Sequence, residues 1–448
     1  MREDFLHFIW RFARFDLREL RTTTGARLSI QDFGRHNTDG GPDFSNGQVR
    51  IEGMQWAGNV EIHVNASDWY AHGHQTDPAY DGVVLHVVYD EDRPVFRPNG
   101  ERIPCLELRG RVHPGLLSSY HRLTHSATWV PCQHRLFRVG ETVRSATLDA
   151  VLTERLADRA DRFRKRWEYT GRDWEEAYYQ SLARALGGRV NADAMDMLAR
   201  SLPLRTLLKH KHSLLQLEAL LFGQSGLLPE AAEGETAYVT LLRREYSLLR
   251  TKYELRPLPR AAWRYLRLRP NNFPTVRIAQ FATMLHRTGQ LFGKTLAAAS
   301  ARELMNMFAV KLSNYWRTHY RFGKETAAAE RSLGATTIRS VLINTAVPAL
   351  IAYGKAREDE RYRDRAHTLL AELPPEDNRP LRKWAELGWP AGNAAESQAL
   401  LQLKAEHCDR SRCLECPVGQ DVLANTYGED DAPLLSVNEQ TVVYGGLT

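Results

Sequence analysis

The sequence predicts an α+β chain in three parts: an N-terminal domain over 1–139 with element order αβββαβ, a basic all-helical domain over 140–404, and a cysteine-rich closing segment over 405–448. Three observations predict it. Alternating and β-branched runs are confined to the first 110 residues, and after about residue 140 apolar residues recur at helical spacing. Three of the five cysteines fall between Cys408 and Cys416.

The elements follow in order. Residues 3–21 read as an amphipathic helix and Arg27–Phe33 as an alternating strand. The glycine-rich stretch Gly34–Gly41 then leads into Pro42-Asp43. Gln48–Ile51 and Met54–Trp56 form a strand pair around Glu52-Gly53, and Val60–Val64 is the next strand. Asp77–Gly82 makes a short turn or helix, and Val83–Tyr89 is an apolar run typical of a buried strand. Short strands near Val95 and over Ile103–Leu108 complete the domain. Helices are expected over Glu141–Arg166, Trp174–Leu186, Ala192–Leu202, Leu204–Leu221, Ala237–Tyr253, Arg260–Leu268, Val276–Leu285, Leu296–Ala301, Thr337–Tyr353, Arg357–Leu373 and Ala394–Lys404. The tail after Gly419, with its acidic run Gly428–Asp431, is expected to be loosely ordered.

At 448 residues, 43% apolar and 25% charged, the chain has an ordinary globular composition and exceeds one core. No run of about 18 apolar residues suggests a membrane span. The N-terminus lacks the apolar run and small-residue cleavage site of a signal peptide. Few, clustered cysteines argue for a reducing compartment, and hence a cytoplasmic protein. The net charge of +6 is unevenly spread: residues 1–140 carry 16 Arg against 17 Asp+Glu, and residues 201–300 carry 15 Lys+Arg against 6 Asp+Glu. That distribution suits a phosphate-backbone grip supplied by the helical domain.

The chemistry centres on Gly58-Asn59-Val60-Glu61-Ile62-His63-Val64. As a strand it sends Val60, Ile62 and Val64 to the core, with Glu61 and His63 sharing the other face about 6.6 Å apart. Asp43, on a turn upstream, can join Glu61 in holding a divalent cation, Mg²⁺ or Mn²⁺. His63 can act as a base or ligand near neutral pH, and His72, Asp77 or Tyr80 can contact phosphate. An alternative is a zinc or manganese site built from His63, His72, His74 and Asp77. His74 and His86 are otherwise expected to cap turns or pack.

Two further groups stand out. Cys408-X4-Cys413-X2-Cys416 needs a fourth ligand, Cys132 or His407, to hold Zn²⁺ or a [4Fe–4S] cluster, whereas Cys105 reads as a buried thiol. Such a clasp would tie the two ends of the helical domain together. Arg260, Arg264 and Arg267 fall on one face of an expected helix, with Arg269 just beyond and Trp263 and Tyr265 available for stacking on nucleic acid.

Pro42-Asp43 followed by Glu61-Ile62-His63 resembles the motif of the PD-(D/E)XK nuclease superfamily, with histidine in place of lysine. The resemblance implies a restriction-endonuclease-like fold and metal-dependent hydrolysis of DNA or RNA. In that reading Asp43, Glu61 and the Ile62 carbonyl bind the cation, and His63 takes the lysine's part in orienting water. No lysine precedes Lys165. Some nucleases of that superfamily also close their fold with an iron–sulfur cluster on one distant cysteine and three near the C-terminus. Over nearly its full length the chain also resembles an uncharacterised bacterial family carrying a domain of unknown function. The phrases that carry this are GPDF (41–44), GNVEIH (58–63), LHVVY (85–89), RLRPNNFP (267–274), INTAVP (343–348) and CLEC (413–416). Two other functions stay open: a non-catalytic nucleic-acid-binding or scaffold protein, and a zinc-dependent hydrolase of small phosphoesters.

Overall fold

A computed structural model describes residues 1–37, 40–230, 236–329 and 331–425. The chain forms two compact units, one of Met1–Thr147 together with the segment from Leu403 onward, the other Leu148–Gln402. The cysteine-rich segment, read from sequence as a part of its own, therefore belongs to the first unit.

Helix α1 (Glu3–Arg11) opens the first unit, with Glu3 and Asp4 in its first turn and Arg11 in its last, charges that suit the helix dipole. It buries Phe5, Leu6, Phe8, Ile9 and Trp10, so it is a core element under the sheet. The sheet runs β1 (Leu28–Asp32), β3 (Phe44–Ile51), β4 (Met54–Asn65), β5 (Val83–Asp90), β6 (Cys105–Glu107), with β2 (Arg35–His36) paired beside β3. Strands β1, β3 and β4 are antiparallel, and β4, β5 and β6 are parallel. The β3–β4 turn at Glu52-Gly53 has both residues at positive φ, +48° and +84°, the twist a two-residue hairpin requires.

The two strands expected around Met54–Trp56 and Val60–Val64 are one continuous twelve-residue β4. Its first half stands out toward solvent, with Met54 66% exposed, and its second half is buried on both faces. Between β4 and the parallel β5 the chain makes a short helix α2 (Asp68–Ala71) and two 3₁₀ turns, His74–Thr76 and Pro78–Tyr80. Strand β5 is buried from Val83 to Val88, as a strand covered on both faces must be. Helix α3 (Pro114–Thr124), absent from the sequence reading, stacks Tyr120 on Phe5 of α1 with centroids 4.1 Å apart.

The second unit is helical, with departures from expectation that have local causes. The long helix over Leu204–Leu221 is two, Leu204–Lys209 and Leu214–Gln224, because Ser213 caps a new N-terminus by accepting from Gln216 N–H. Ser300 likewise accepts from Glu303 N–H, so the helix placed at Leu296–Ala301 is replaced by Leu291–Ala297 and Ala301–Phe308. No helix spans Arg260–Leu268. After Pro257 and Pro259 the chain makes one 3₁₀ turn (Arg260–Ala262), and Arg267 lies at φ +62°. This strap is pinned by its backbone: Asn191 Oδ1 accepts from Arg264 N–H at 2.8 Å and Asn191 Nδ2 donates to Arg264 O at 2.9 Å.

Ala335–Arg357 runs as one helix through a π turn at Leu342–Ala346. Contrary to the composition reading, it is long and apolar enough to cross a membrane. Yet 61% of its most apolar window is packed inside this unit, the state of a core helix. A small hairpin of β7 (His319–Arg321) and β8 (Lys324–Glu325) also went unpredicted. Of the tail expected to be loose, Pro417–Ala424 is a helix burying Val418, Gly419, Val422 and Leu423. The acidic run at 428–431 lies outside the described residues.

Candidate metal centre of the first unit

Asp43 and Glu61 meet through the backbone. Asp43 N–H donates to Glu61 Oε2 at 3.1 Å, and Ile62 N–H donates to Asp43 Oδ2 at 2.9 Å. Each acid is thus held by the other's strand, which fixes both carboxylates at the junction of β3 and β4. Gly41, at φ +100°, makes the turn that delivers Pro42-Asp43, a conformation L side chains rarely adopt. Glu61 is 4% exposed. Burial, followed by the charge of Asp43, pushes its carboxyl up to about 9. Among the described residues neither acid has a Lys or Arg ion-pair partner.

Histidines surround the pair. His63 Nε2 stands 3.6 Å from Glu61 Oε1 and 3.2 Å from His72 Nδ1, and His74 Nε2 stands 3.3 Å from Glu61 Oε1. The ring nitrogens of His63, His72 and His74 lie within 4.8 Å of one another, close enough to share one ion. On its other side His63 Nδ1 bonds His86 Nε2 at 2.8 Å, both rings being sealed from solvent. Burial first, then the neighbouring imidazoles, holds His63 down to about 2, and burial holds His86 down to about 3. Both stay neutral at physiological pH, the form in which imidazole binds metal.

The Glu61–His63 face of β4 is covered. His74, a member of the alternative zinc set and otherwise expected to cap or pack, lies beside Glu61, and His86, expected to cap or pack, is the ring behind His63. Asp77 caps the Pro78–Tyr80 turn by accepting from Ala79 N–H at 2.9 Å. Tyr80 packs on His74 with centroids 3.8 Å apart, and burial ahead of the Glu61 charge raises its phenol to about 12, so it contributes a wall.

Two residues of α1 escaped the sequence reading. His7 Nε2 lies 3.3 Å from Asp43 Oδ2, and Glu3 Oε1 lies 3.9 Å from His63 Nε2. Burial works against the His7 cation, but the hydrogen bond and charge of Asp43 raise its pKa. Burial and then the charge of Asp43 raise the Glu3 carboxyl. Only their position on the polar edge of an otherwise apolar helix hinted at them.

The four expected cysteines also converge within this unit. Cys132 precedes the 3₁₀ helix Gln133–Arg138, and Cys416 precedes the Pro417–Ala424 helix that packs on that segment. Burial and then Cys416 and Cys413 push the Cys132 thiol up to about 12. Cys413 is raised to about 12 by burial and then Cys416. Cys408 is raised by burial and then by Cys132, Cys416 and Cys413 in turn. Gly419 permits the approach, since a Cβ there would fall 2.1 Å from Cys413 O. The packing of the Pro417–Ala424 helix on the Gln133–Arg138 segment places the C-terminal segment in the first unit. Cys105 is a buried thiol, as expected.

A match to the family described as "Protein of unknown function (DUF2851)" extends over residues 3–379. The chain belongs to that family. No curated protein and no solved structure matches it. The DUF2851 match covers the whole acid–histidine site and the helical unit as far as residue 379, and it ends before Cys408.

The helix face expected to carry the four arginines does not form, since only a 3₁₀ turn replaces the helix. Without the helix, Arg264, Arg267 and Arg269 are exposed along the pinned strap, and Trp263 is buried, donating Nε1–H to Ser225 O at 2.8 Å. Arg260 lines a cavity with Tyr265 and Arg321.

Proposed function

We propose that the first unit is a metal-dependent nuclease that hydrolyses phosphodiester bonds of DNA or RNA. The carrying observation is the mutual anchoring of Asp43 and Glu61: a buried acid and a half-buried one held side by side, with no Lys or Arg ion-pair partner among the described residues. A divalent cation is the group that fits such a pair, because it makes the ionised form of Glu61 the favourable one. The order helix, strands, short helix, buried parallel strand supports a restriction-endonuclease-like reading of the sheet.

Bound between Asp43 and Glu61, the cation would supply Lewis-acid activation of water and of the phosphoryl oxygen. Asp43 and Glu61 position it, and the Ile62 carbonyl and Glu3 lie at hand as further oxygen donors. His63, neutral and fixed through Nδ1 by His86, presents Nε2 toward Glu61 and can orient water by a hydrogen bond. His72 and His74 add nitrogen donors. A mixed set of carboxylates and imidazoles suits Mn²⁺ or Zn²⁺ better than Mg²⁺, which favours oxygen.

The test is cleavage of plasmid DNA and of RNA by the full-length protein with Mg²⁺, Mn²⁺ or Zn²⁺. Asp43→Ala and Glu61→Ala are expected to lose at least about 100-fold in rate, the scale on which catalytic metal sites fail. If wild type and variants bind nucleic acid equally and none cuts, the protein is a binder or scaffold of the same architecture. The His63–His72–His74 group favours one further reading, a zinc-dependent small phosphoesterase. Zinc-dependent hydrolysis of p-nitrophenyl phosphate without nucleic-acid affinity would select it. The four cysteines we assign to a structural Zn²⁺ or [4Fe–4S] group. Absorption near ~400 nm after anaerobic purification marks iron–sulfur, and a colourless protein with bound zinc marks the other.

A further inference from the structure

Within the helical unit, a cavity of about 380 Å³ is lined by Arg260, Tyr265, Thr275, Arg321, Phe322 and Lys324, together with Leu227, Pro229 and Gly323. Among the described residues, three cations and no carboxylate line it. The β7–β8 hairpin supplies two of the cations from either side of its Phe322-Gly323 turn. It is held in place because Thr275 Oγ1 donates to Tyr320 O at 2.5 Å and Gly323 N–H donates to Tyr315 Oη at 3.2 Å. Arg321 carries the argument. Its guanidinium lies over the Tyr265 ring at 3.8 Å and over Phe273 at 4.7 Å, and its Nε is buried with no hydrogen-bond partner. Stacking therefore fixes a planar fork of donors at a cavity wall without an acceptor in place, at a cost that an incoming anion removes.

We infer that this cavity seats one nucleotide of the substrate strand, its phosphate held by Arg321, Lys324 and Arg260 and its sugar or base against Phe322 and the edge of Tyr265. The geometry carries the anion site, and the identity of the anion rests on the nuclease reading above. A phosphate matches the arginine fork in two parallel bonds and carries charge enough for more than one cation. The volume exceeds a bare phosphate and falls in the range of sites for small organic ligands. Aromatic side chains beside cations are how single strands are held without regard to sequence.

The experiment measures anisotropy of a labelled single-stranded 12-mer on the full-length protein without added metal ion, with AMP, adenosine and inorganic phosphate as competitors. Arg321→Ala and Lys324→Ala are each expected to weaken strand binding about tenfold and to lower the salt dependence by roughly 0.7 per cation removed. Arg321→Lys, keeping the charge without the fork, recovers only part. AMP and phosphate compete and adenosine does not. Melting curves establish that the variants are folded. A folded Arg321→Ala that binds the strand as wild type does overturns the inference. So does loss of AMP binding alone, which makes this a free-nucleotide site. If Arg321→Ala loses the strand but wild type cuts under no metal, the cavity stands and the nuclease reading falls. Cleavage that depends on Asp43 and ignores Arg321 gives the reverse.

Discussion

Between pH 4.5 and 9 the folded chain keeps a proton on Glu61 that the unfolded chain has released. The folded state binds more protons in that window, so Glu61 makes stability fall as pH rises, by up to about 1.4 kcal/mol per pH unit at its steepest. Glu61→Gln retains an acceptor for Asp43 N–H and removes the titration. In metal-free protein the variant should unfold at higher denaturant than wild type at pH 8, and the gap should close toward pH 5. A cation that replaces the proton should narrow the same gap, with affinity rising with pH because binding releases that proton. Denaturant melts at four pH values, with and without Mn²⁺, check both. Of this site, Asp43, Glu61 and His63 were legible because strand period and turn spacing place them. Glu3 and His7 were not, since nothing local says which β-strand a helix will cover. His86 was misread because a histidine in an apolar strand carries no sign of what it faces, whereas His74 was legible as a member of the alternative metal set.

At the level of elements, β4 and β5 lie unusually close at Gly58. A Cβ there would stand 2.5 Å from Val84 Cγ1 and 2.6 Å from Gly82 O, the second of which is backbone and has no room to give. Gly58→Ala should therefore cost about 1–3 kcal/mol, read from a denaturant midpoint. Cleavage should fall more than stability alone explains, because Glu61 sits three residues further along the displaced strand. Strand order in the first unit was readable from hydrophobic period and turn residues. Helix ends in the second were less so: Ser213 and Ser300 start new helices inside periodic runs that continue past them. The Arg260–Leu268 stretch failed for a tertiary reason. Asn191 pairs with both backbone groups of Arg264, and Trp263 is spent on Ser225, so an arginine pattern with helical spacing became a strap.

For the whole molecule, the proposed cysteine-bound metal predicts what closes the first unit. Cys132→Ser or Cys408→Ser should lose the bound metal and expose the segment after Leu403 to limited proteolysis, leaving the Leu148–Gln402 unit resistant. Metal analysis together with the digestion pattern checks this, and a clasp of no structural consequence would leave the digest unchanged. A fragment of 148–402 should fold alone as a helical body, whereas 1–147 by itself should be markedly less stable.

The sheet of the first unit is thus made roughly 250 residues before the segment from Leu403 that joins the same unit. At about 5–20 residues per second the ribosome needs roughly 13–50 s to cross that gap. Through that interval the acid–histidine pocket sits on a nascent chain that holds only Cys132 of the four cysteines proposed to share one group. A unit assembled in this order gains its closing segment only after the whole helical unit has been made.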